Sequence, residues 1–341
     1  MSVYKVFDQN NDVISNIKDT VSSGMWENGA GTLTSFFTSS TQSGSSGTHY
    51  FDMYGTNPQT TTTAKAQFSI AYGHLNGSGS KGTLGVDGLR ASAAIYRQLS
   101  NTLLGPNERQ FTFAGTGTHI KPKFVFAISV AREFLREKMD PGNWELHISG
   151  SGNTKLKFID DSGATTNPVV NQGGRVFNIV SGSIATGTAV IKTAATSQEG
   201  GAYGLFYPDL GILVFNGPVL NTSASLGHVS ASNTNGDNNN KFYERIRVAG
   251  KFQARREEVI TSQHYFVRAG NQEFNFSSNP TFSTASDGSF TVPSYFKNPR
   301  SFITQVGLYN ESNELLAIAK LSKPLLKSFS REALIKVKLD F

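Results

Sequence analysis

The stretch from Phe302 to the final residue constrains the fold more than any other. Leu334-Ile-Lys-Val-Lys-Leu-Asp-Phe341 sets Ile335, Val337, Leu339 and Phe341 at one parity and Lys336, Lys338 and Asp340 at the other. Period two is the spacing of a strand with one buried face, and a helix cannot satisfy it. Kept to the last residue, it predicts a terminal strand docked on a core rather than a frayed tail. Just upstream, Phe302–Tyr309 and Leu315–Leu321 are apolar runs of strand length. They flank the polar tetrad Asn310-Glu311-Ser312-Asn313, and the whole reads as a β-hairpin.

The rest of the chain repeats that grammar in shorter words. Strands are expected at 66–72, 111–113, 124–130, 144–148, 155–159, 175–180, 188–193, 203–207 and 211–215, with Gly- and Asn-rich turns between them. One helix is expected over 89–104, where Leu89, Ala93, Tyr96, Leu99 and Leu103 share a face. Asp87 is its candidate N-cap and Gly105-Pro106 its stop. A partly helical piece follows Phe242, and β structure resumes at His264. The fold class is therefore mainly β (α+β): an antiparallel sandwich or barrel-like core with a few short helices and long Ser/Gly/Asn-rich loops.

Four stretches are expected. Residues 1–65 form an arm with little core of its own. Residues 66–216 form a β-rich domain with the one helix. A low-complexity loop covers 217–240, and 241–341 completes a single composite core.

Composition narrows the function. Charged residues are 16% of the chain, against roughly 25% in a typical soluble domain, and Ser, Thr, Asn and 34 glycines take their place. Such a surface suits a chain covered by neighbours, because few charges then need desolvating. The net charge of +6 is not gathered into one run. Lys241, Arg245, Arg247, Lys251, Arg255 and Arg256 are interleaved with and followed by Glu244, Glu257 and Glu258, which reads as a solvated or subunit-contact face rather than a nucleic-acid patch. The absence of cysteine excludes disulfides, thiolate metal sites and a Cys nucleophile. Neither a signal-peptide core nor a run of ~18 apolar residues is present, so synthesis in a cytoplasm without membrane insertion is expected.

No motif for chemistry outweighs its structural reading. The six histidines lack any metal-binding spacing. Asp160-Asp161-Ser162-Gly163 has the form of a turn. Gly77-Ser-Gly-Ser-Lys-Gly82 fits G-x-G-x-x-G, but another loop follows it where a dinucleotide site needs a helix, and Lys81-Gly82-Thr83 inverts the P-loop order. No G-x-S-x-G elbow occurs. No catalytic residue, cofactor or metal is expected.

Several phrases, in order, carry a resemblance: Tyr72-Gly-His-Leu-Asn-Gly-Ser-Gly-Ser80, Ala94-Ile-Tyr-Arg-Gln-Leu99, Leu135-Arg-Glu-Lys-Met-Asp-Pro-Gly-Asn-Trp-Glu-Leu146 and Tyr203-Gly-Leu-Phe-Tyr-Pro-Asp-Leu-Gly-Ile-Leu-Val-Phe215. Ile303-Thr-Gln-Val-Gly-Leu-Tyr-Asn310 and Leu315-Leu-Ala-Ile-Ala-Lys-Leu-Ser-Lys-Pro324 complete the set. Over residues 70–341 the chain resembles virion structural proteins of contractile-tailed bacteriophages, especially myoviruses of marine cyanobacteria. The resemblance implies a non-enzymatic tail component, most simply a baseplate wedge subunit present in several copies of a symmetric assembly, with homo-oligomers among the options. Its partners would be other tail proteins, and its place the virion tail. A host receptor- or glycan-binding tail protein and a neck or tail connector are the alternatives.

The expected contact residues are Met25, Trp26, Phe36 and Phe37 in the arm, the turn residues Asn310, Glu311, Ser312 and Asn313, and the outward lysines Lys336 and Lys338. Aromatics in a segment without its own core are natural anchors for a partner's pocket.

Overall fold

A computed structural model describes residues 4–39, 49–80, 90–114, 121–150, 152, 154–165, 167–186, 202–228, 236–277, 279–284 and 287–341. The chain is mainly β, as expected. It divides into two units, Val21–Glu258 and Met1–Thr20 with Val259–Phe341, where a single composite core was expected. Neither boundary falls at the expected 65/66, 216/217 or 240/241.

The chain begins with β1 (Val13–Gly24), β2 (Thr32–Leu33), β3 (Phe37–Thr38), β4 (Tyr50–Tyr54) and β5 (Ala66–His74). Then come α1 (Ala91–Leu103), β6 (Phe124–Val130), α2 (Arg132–Leu135), β7 (Lys138–Met139), β8 (Glu145–Ser149) and β9 (Lys155–Asp160). They are followed by β10 (Val169–Asn171), β11 (Gly174–Ser181), β12 (Gly204–Tyr207) and β13 (Ile212–Asn216). The larger unit is completed by α3 (Gly217–Ala224), α4 (Asp237–Ala249), β14 (Phe252–Gln253) and the start of β15 (Arg255–Ala269). The last strands are β16 (Ser301–Tyr309), β17 (Leu315–Lys327) and β18 (Ala333–Asp340).

In the larger unit one antiparallel sheet runs in the order β2-β14-β8-β9-β11-β12-β13-β6-β5-β4-β3, with β10 added beside β11. Its two end strands come from one short segment. Leu33 pairs with Phe252 at one end and Phe37 with Tyr54 at the other. Four residues span at most about 14 Å, so the ends of the sheet must lie close together. The sheet is therefore curled into a half-barrel.

Helix α4 packs against β8, β5 and β4, with the Phe242 ring 5.1 Å from Phe126 and 5.8 Å from Phe215. On the other face α1 supplies Tyr96 and Leu103 to a second cluster with Val125, Tyr207 and Val214. Both faces are thus covered, which is why Phe124–Ile128 reads as an unbroken apolar run. At Gly73 a Cβ would meet the Tyr96 backbone at 3.2 Å, so glycine lets α1 lie close on β5.

Several expectations fail locally. The segment 21–37 is no loose arm, because Met25, Trp26, Leu33 and Phe36 belong to the main core. Residues 111–113 form no regular strand and instead send Phe111 and Phe113 into the outer cluster. The 217–240 loop opens with α3 and closes with the first turn of α4. The 188–193 strand, Leu89 and the Asp87 cap lie outside the described residues.

In the smaller unit β15 pairs with β18 in the register Tyr265↔Val337, and β1 flanks β15. The hairpin β16–β17 contributes Val306, Leu308, Ala317 and Ala319 to a small core with Val337, Tyr265, Val267, Ile335 and Leu339. The predicted alternation of the last strand holds at Ile335, Val337 and Leu339, but the Phe341 side chain is 68% exposed although its backbone still exchanges hydrogen bonds with Thr261. Strand β17 runs through Pro324 to Lys327, beyond the expected end at Leu321.

Candidate partner-binding surfaces

The strongest expected anchors are used within the chain itself. Trp26 is 1% exposed; its indole N–H donates to the Phe252 carbonyl at 3.0 Å, and its ring lies 4.8 Å from Phe252 and 5.8 Å from Phe68. Met25 is fully buried, and Phe36 is buried with its ring 6.2 Å from Phe68. Met25, Trp26 and Phe36 are therefore core residues and cannot seat in a partner. Counting apolar residues along 1–65 misses this, because the sheet that covers them is made by residues far away in sequence.

Phe37 behaves differently. It is half-buried on end strand β3 and lines an open groove of about 480 Å³ with Ser35, Phe36, Tyr243, Glu244 and Arg247. Tyr243 donates its hydroxyl proton to the Phe36 carbonyl at 3.3 Å, joining α4 to the segment that bridges the sheet ends. Arg247 and Glu244 form an exposed ion pair at 2.6 Å on the rim. Aromatic side chains beside a small charged rim can seat a sugar face or an apolar side chain.

The turn after β16 is exposed as expected. Asn310 fastens it: its side-chain oxygen accepts from the Glu314 N–H at 2.8 Å and its amide donates to the Glu314 carboxylate at 2.8 Å. Asn313 takes a left-handed backbone with φ of 61°. Glu311, Ser312 and Asn313 all point to water. The outward lysines are partly engaged. Lys338 bridges Asp19 and Asp340 at 3.1 Å each, and these hydrogen bonds raise the pKa of its ammonium. Lys336 lies 6.0 Å above the Phe266 ring.

The smaller unit also shows a surface that sequence reasoning missed. Of the twenty large hydrophobic residues exposed among the described ones, fifteen belong to it. Tyr309 (42% exposed), Leu315 (47%), Leu316 (68%) and Ile318 (52%) cluster on the hairpin. The signal was present in Leu315-Leu-Ala-Ile318, which is apolar at both parities and so exceeds what one buried face can take.

The densest polar constellation lies in the larger unit around Glu145. Its carboxylate accepts from Ser183 Oγ and the Ile184 N–H at 2.8 Å each, and from Lys251 Nζ at 3.0 Å. His147 Nε2 is 2.6 Å away. Burial alone would raise the carboxyl, but the hydrogen bonds from His147, Ser183, Lys251 and Ile184 outweigh it and bring it down to about 2. Burial holds His147 below the usual imidazole range, against the pull of Glu145. Every acceptor position of Glu145 is in use, so the group locks β8, the end of β11 and Lys251 together.

Asp160 likewise holds turns, and Asp161 ties its own turn to β11. Asp160 accepts from the Gly142 and Ser162 N–H groups, and Asp161 from Asn178. The glycine-rich connector, as far as Ser80, is pinned by His74, whose Nδ1 accepts from the Asn76 and Ser78 N–H groups at 3.1 and 3.2 Å. Among the described residues no group of three or more His, Asp or Glu could hold a metal ion, and no helix is long and apolar enough to cross a membrane.

The chain matches no family model, no curated protein and no solved structure. The resemblance to virion proteins therefore rests on the quoted phrases alone.

Proposed function

We propose that the chain is a non-enzymatic building block of a contractile phage tail, most simply a baseplate wedge subunit that joins neighbouring tail proteins. The observation that carries this reading is the apolar surface of the smaller unit. Scattered exposed apolar residues are ordinary, but so many on one small unit are the mark of a surface that neighbours cover. The charge-poor composition and the virion-like phrases agree with it. The test is to locate the chain in purified particles, by mass spectrometry of virions and by cross-linking within them. The reading expects cross-links from residues 276–341 to other tail proteins. Particles lacking the chain would overturn it.

The Phe37–Tyr243 groove favours a second reading, host-surface recognition. A glycan array probed with the full chain decides it: binding lost in Tyr243→Ala supports recognition through this groove, and no binding removes it.

A further inference from the structure

We propose that the outer face of the β16–β17 hairpin is a contact between two copies of this chain, packed face to face about a two-fold axis. The inner face is accounted for, since Val306, Leu308, Ala317 and Ala319 turn into the unit's own core. The outer face carries Tyr309, whose ring meets that of Tyr4 edge-on at 4.9 Å, with Leu315 and Ile318 around Gly307, which pairs with Ile318. Glycine at that position flattens the face: a Cβ there would meet the Tyr309 ring at 2.9 Å and a Leu315 methyl at 3.3 Å, so both side chains lie across it. With Leu316, these residues leave on the order of 400 Å² of apolar side chain in water, about the largest patch a lone protein usually carries.

The charges say which occupant fits. Glu311 and Glu314 stand at the turn, and Lys320 and Lys323 stand further along β17, with the apolar patch between the two sets. Among the described residues Glu311, Glu314, Lys320 and Lys323 make no ion pair within the chain. A two-fold that runs the hairpins antiparallel lays the turn carboxylates of one copy over the lysines of the other, at both ends of a shared apolar centre. The surface is complementary to itself, as an isologous contact requires.

Edge-to-edge pairing fits less well. The ladder is broken by register shifts at Ile303/Gln305 and Leu308/Tyr309, and Pro324 removes a donor from β17. The doubled patch and its charged flanks come to about 1,000 Å², the lower bound of specific contacts, so the dimer is expected to be weak and micromolar.

Sedimentation velocity of the full chain over the micromolar range tests this. The wild type should pass from monomer to dimer, and Ile318→Lys should weaken the dimer by at least about tenfold. Ile318 is half-exposed, so this variant keeps its fold, as circular dichroism will check. Glu314→Lys and Lys320→Glu should each weaken association, and the two together should restore it. A wild type that stays monomeric, an Ile318→Lys protein that dimerises normally, or a double swap no better than its parents would overturn the proposal. The measurement uses purified chain, so its failure leaves the tail-subunit reading standing, and absence of the chain from virions leaves the dimer standing.

Discussion

Trp26→Ala separates a core residue from a partner anchor by magnitude alone. A tryptophan that waits exposed for a partner costs within about 0.5 kcal/mol when removed from the free protein. Trp26 is 1% exposed, packed against the tilted rings of Phe252 and Phe68, and hydrogen-bonded to a strand carbonyl. Truncating a buried Trp costs about 3–5 kcal/mol, and the lost hydrogen bond about 1 kcal/mol of that order.

The assay is built into the sequence. The chain has two tryptophans, Trp26 and Trp144, and both lie in the larger unit. Trp144 is fully buried against Phe206, so its fluorescence alone reports unfolding of that unit in the variant. With a urea dependence of about 3 kcal/mol per molar for a unit of this size, the midpoint should fall by more than about 1 M. Trp26→Phe, which keeps most of the apolar volume, should recover part of the loss. A shift in Trp26→Ala below about 0.2 M would refute the burial argument and return Trp26 to the surface.

Acid unfolding should find Glu145. Its folded pKa of about 2 lies below its ordinary value of 4.5, so the stabilisation is fully present above pH 4.5 and is lost as pH falls toward 2. At neutral pH it amounts to about 3 kcal/mol, and Glu145→Gln should flatten the stability profile across that window when followed by urea titrations at successive pH values. Gly217→Ala should destabilise the larger unit by about 1–3 kcal/mol, because the new Cβ would meet the Phe124 ring at 2.2 Å and its carbonyl oxygen at 2.7 Å. Gly31→Ala, with nothing within 4 Å, is the control and should shift the same melting curve little. Tyr243→Phe should cost about 0.5–1.5 kcal/mol through the lost bond to Phe36, measured by the same urea titration; an unchanged midpoint would mean that this bond adds no stability.

Legibility followed how local the cause of each element is. Strand β6 was readable residue for residue, because apolar side chains on both faces leave a run broken only at the exposed Ser129. The hairpin and last strand were readable because period two, a polar turn and period two again stand next to each other. Strand β4 was readable in principle: Phe51 and Met53 turn inward between Tyr50, Asp52 and Tyr54, but the Ser/Thr/Gly surroundings hid the alternation.

Helix α4 could not be read locally. Asp237-Asn-Asn-Asn240 has the composition of a solvated loop, yet the Asn238 amide donates to the Gly79 carbonyl and the Asn239 amide to the His49 carbonyl. Those amides act as cross-links to distant backbone, and only the folded sheet supplies the acceptors. Of the expected contact residues, the turn was legible as outward because it is a polar tetrad between two strands, and the lysines because they sit on a regular alternation. Trp26 and Phe36 were misread because their ring partners, Phe68 and Phe252, lie far along the chain, and Met25 because its N–H is bonded to the distant Ala254 carbonyl.

The bridging segment between the sheet ends also sets a timetable. Leu33 leaves the ribosome early, but its pairing partner Phe252 is made 219 positions later. At 5–20 residues per second the half-barrel must stay open for roughly 10–45 s of synthesis. During that interval β8 and β2 are bare edges, and the aromatic interior that α4 will fill faces water. The smaller unit waits longer still, since Tyr4–Thr20 must hold until Val259–Phe341 arrives. A chain with this topology depends on being kept from its neighbours until β18 is made and paired with β15, and a nascent fragment that stops short of it is unfit to assemble.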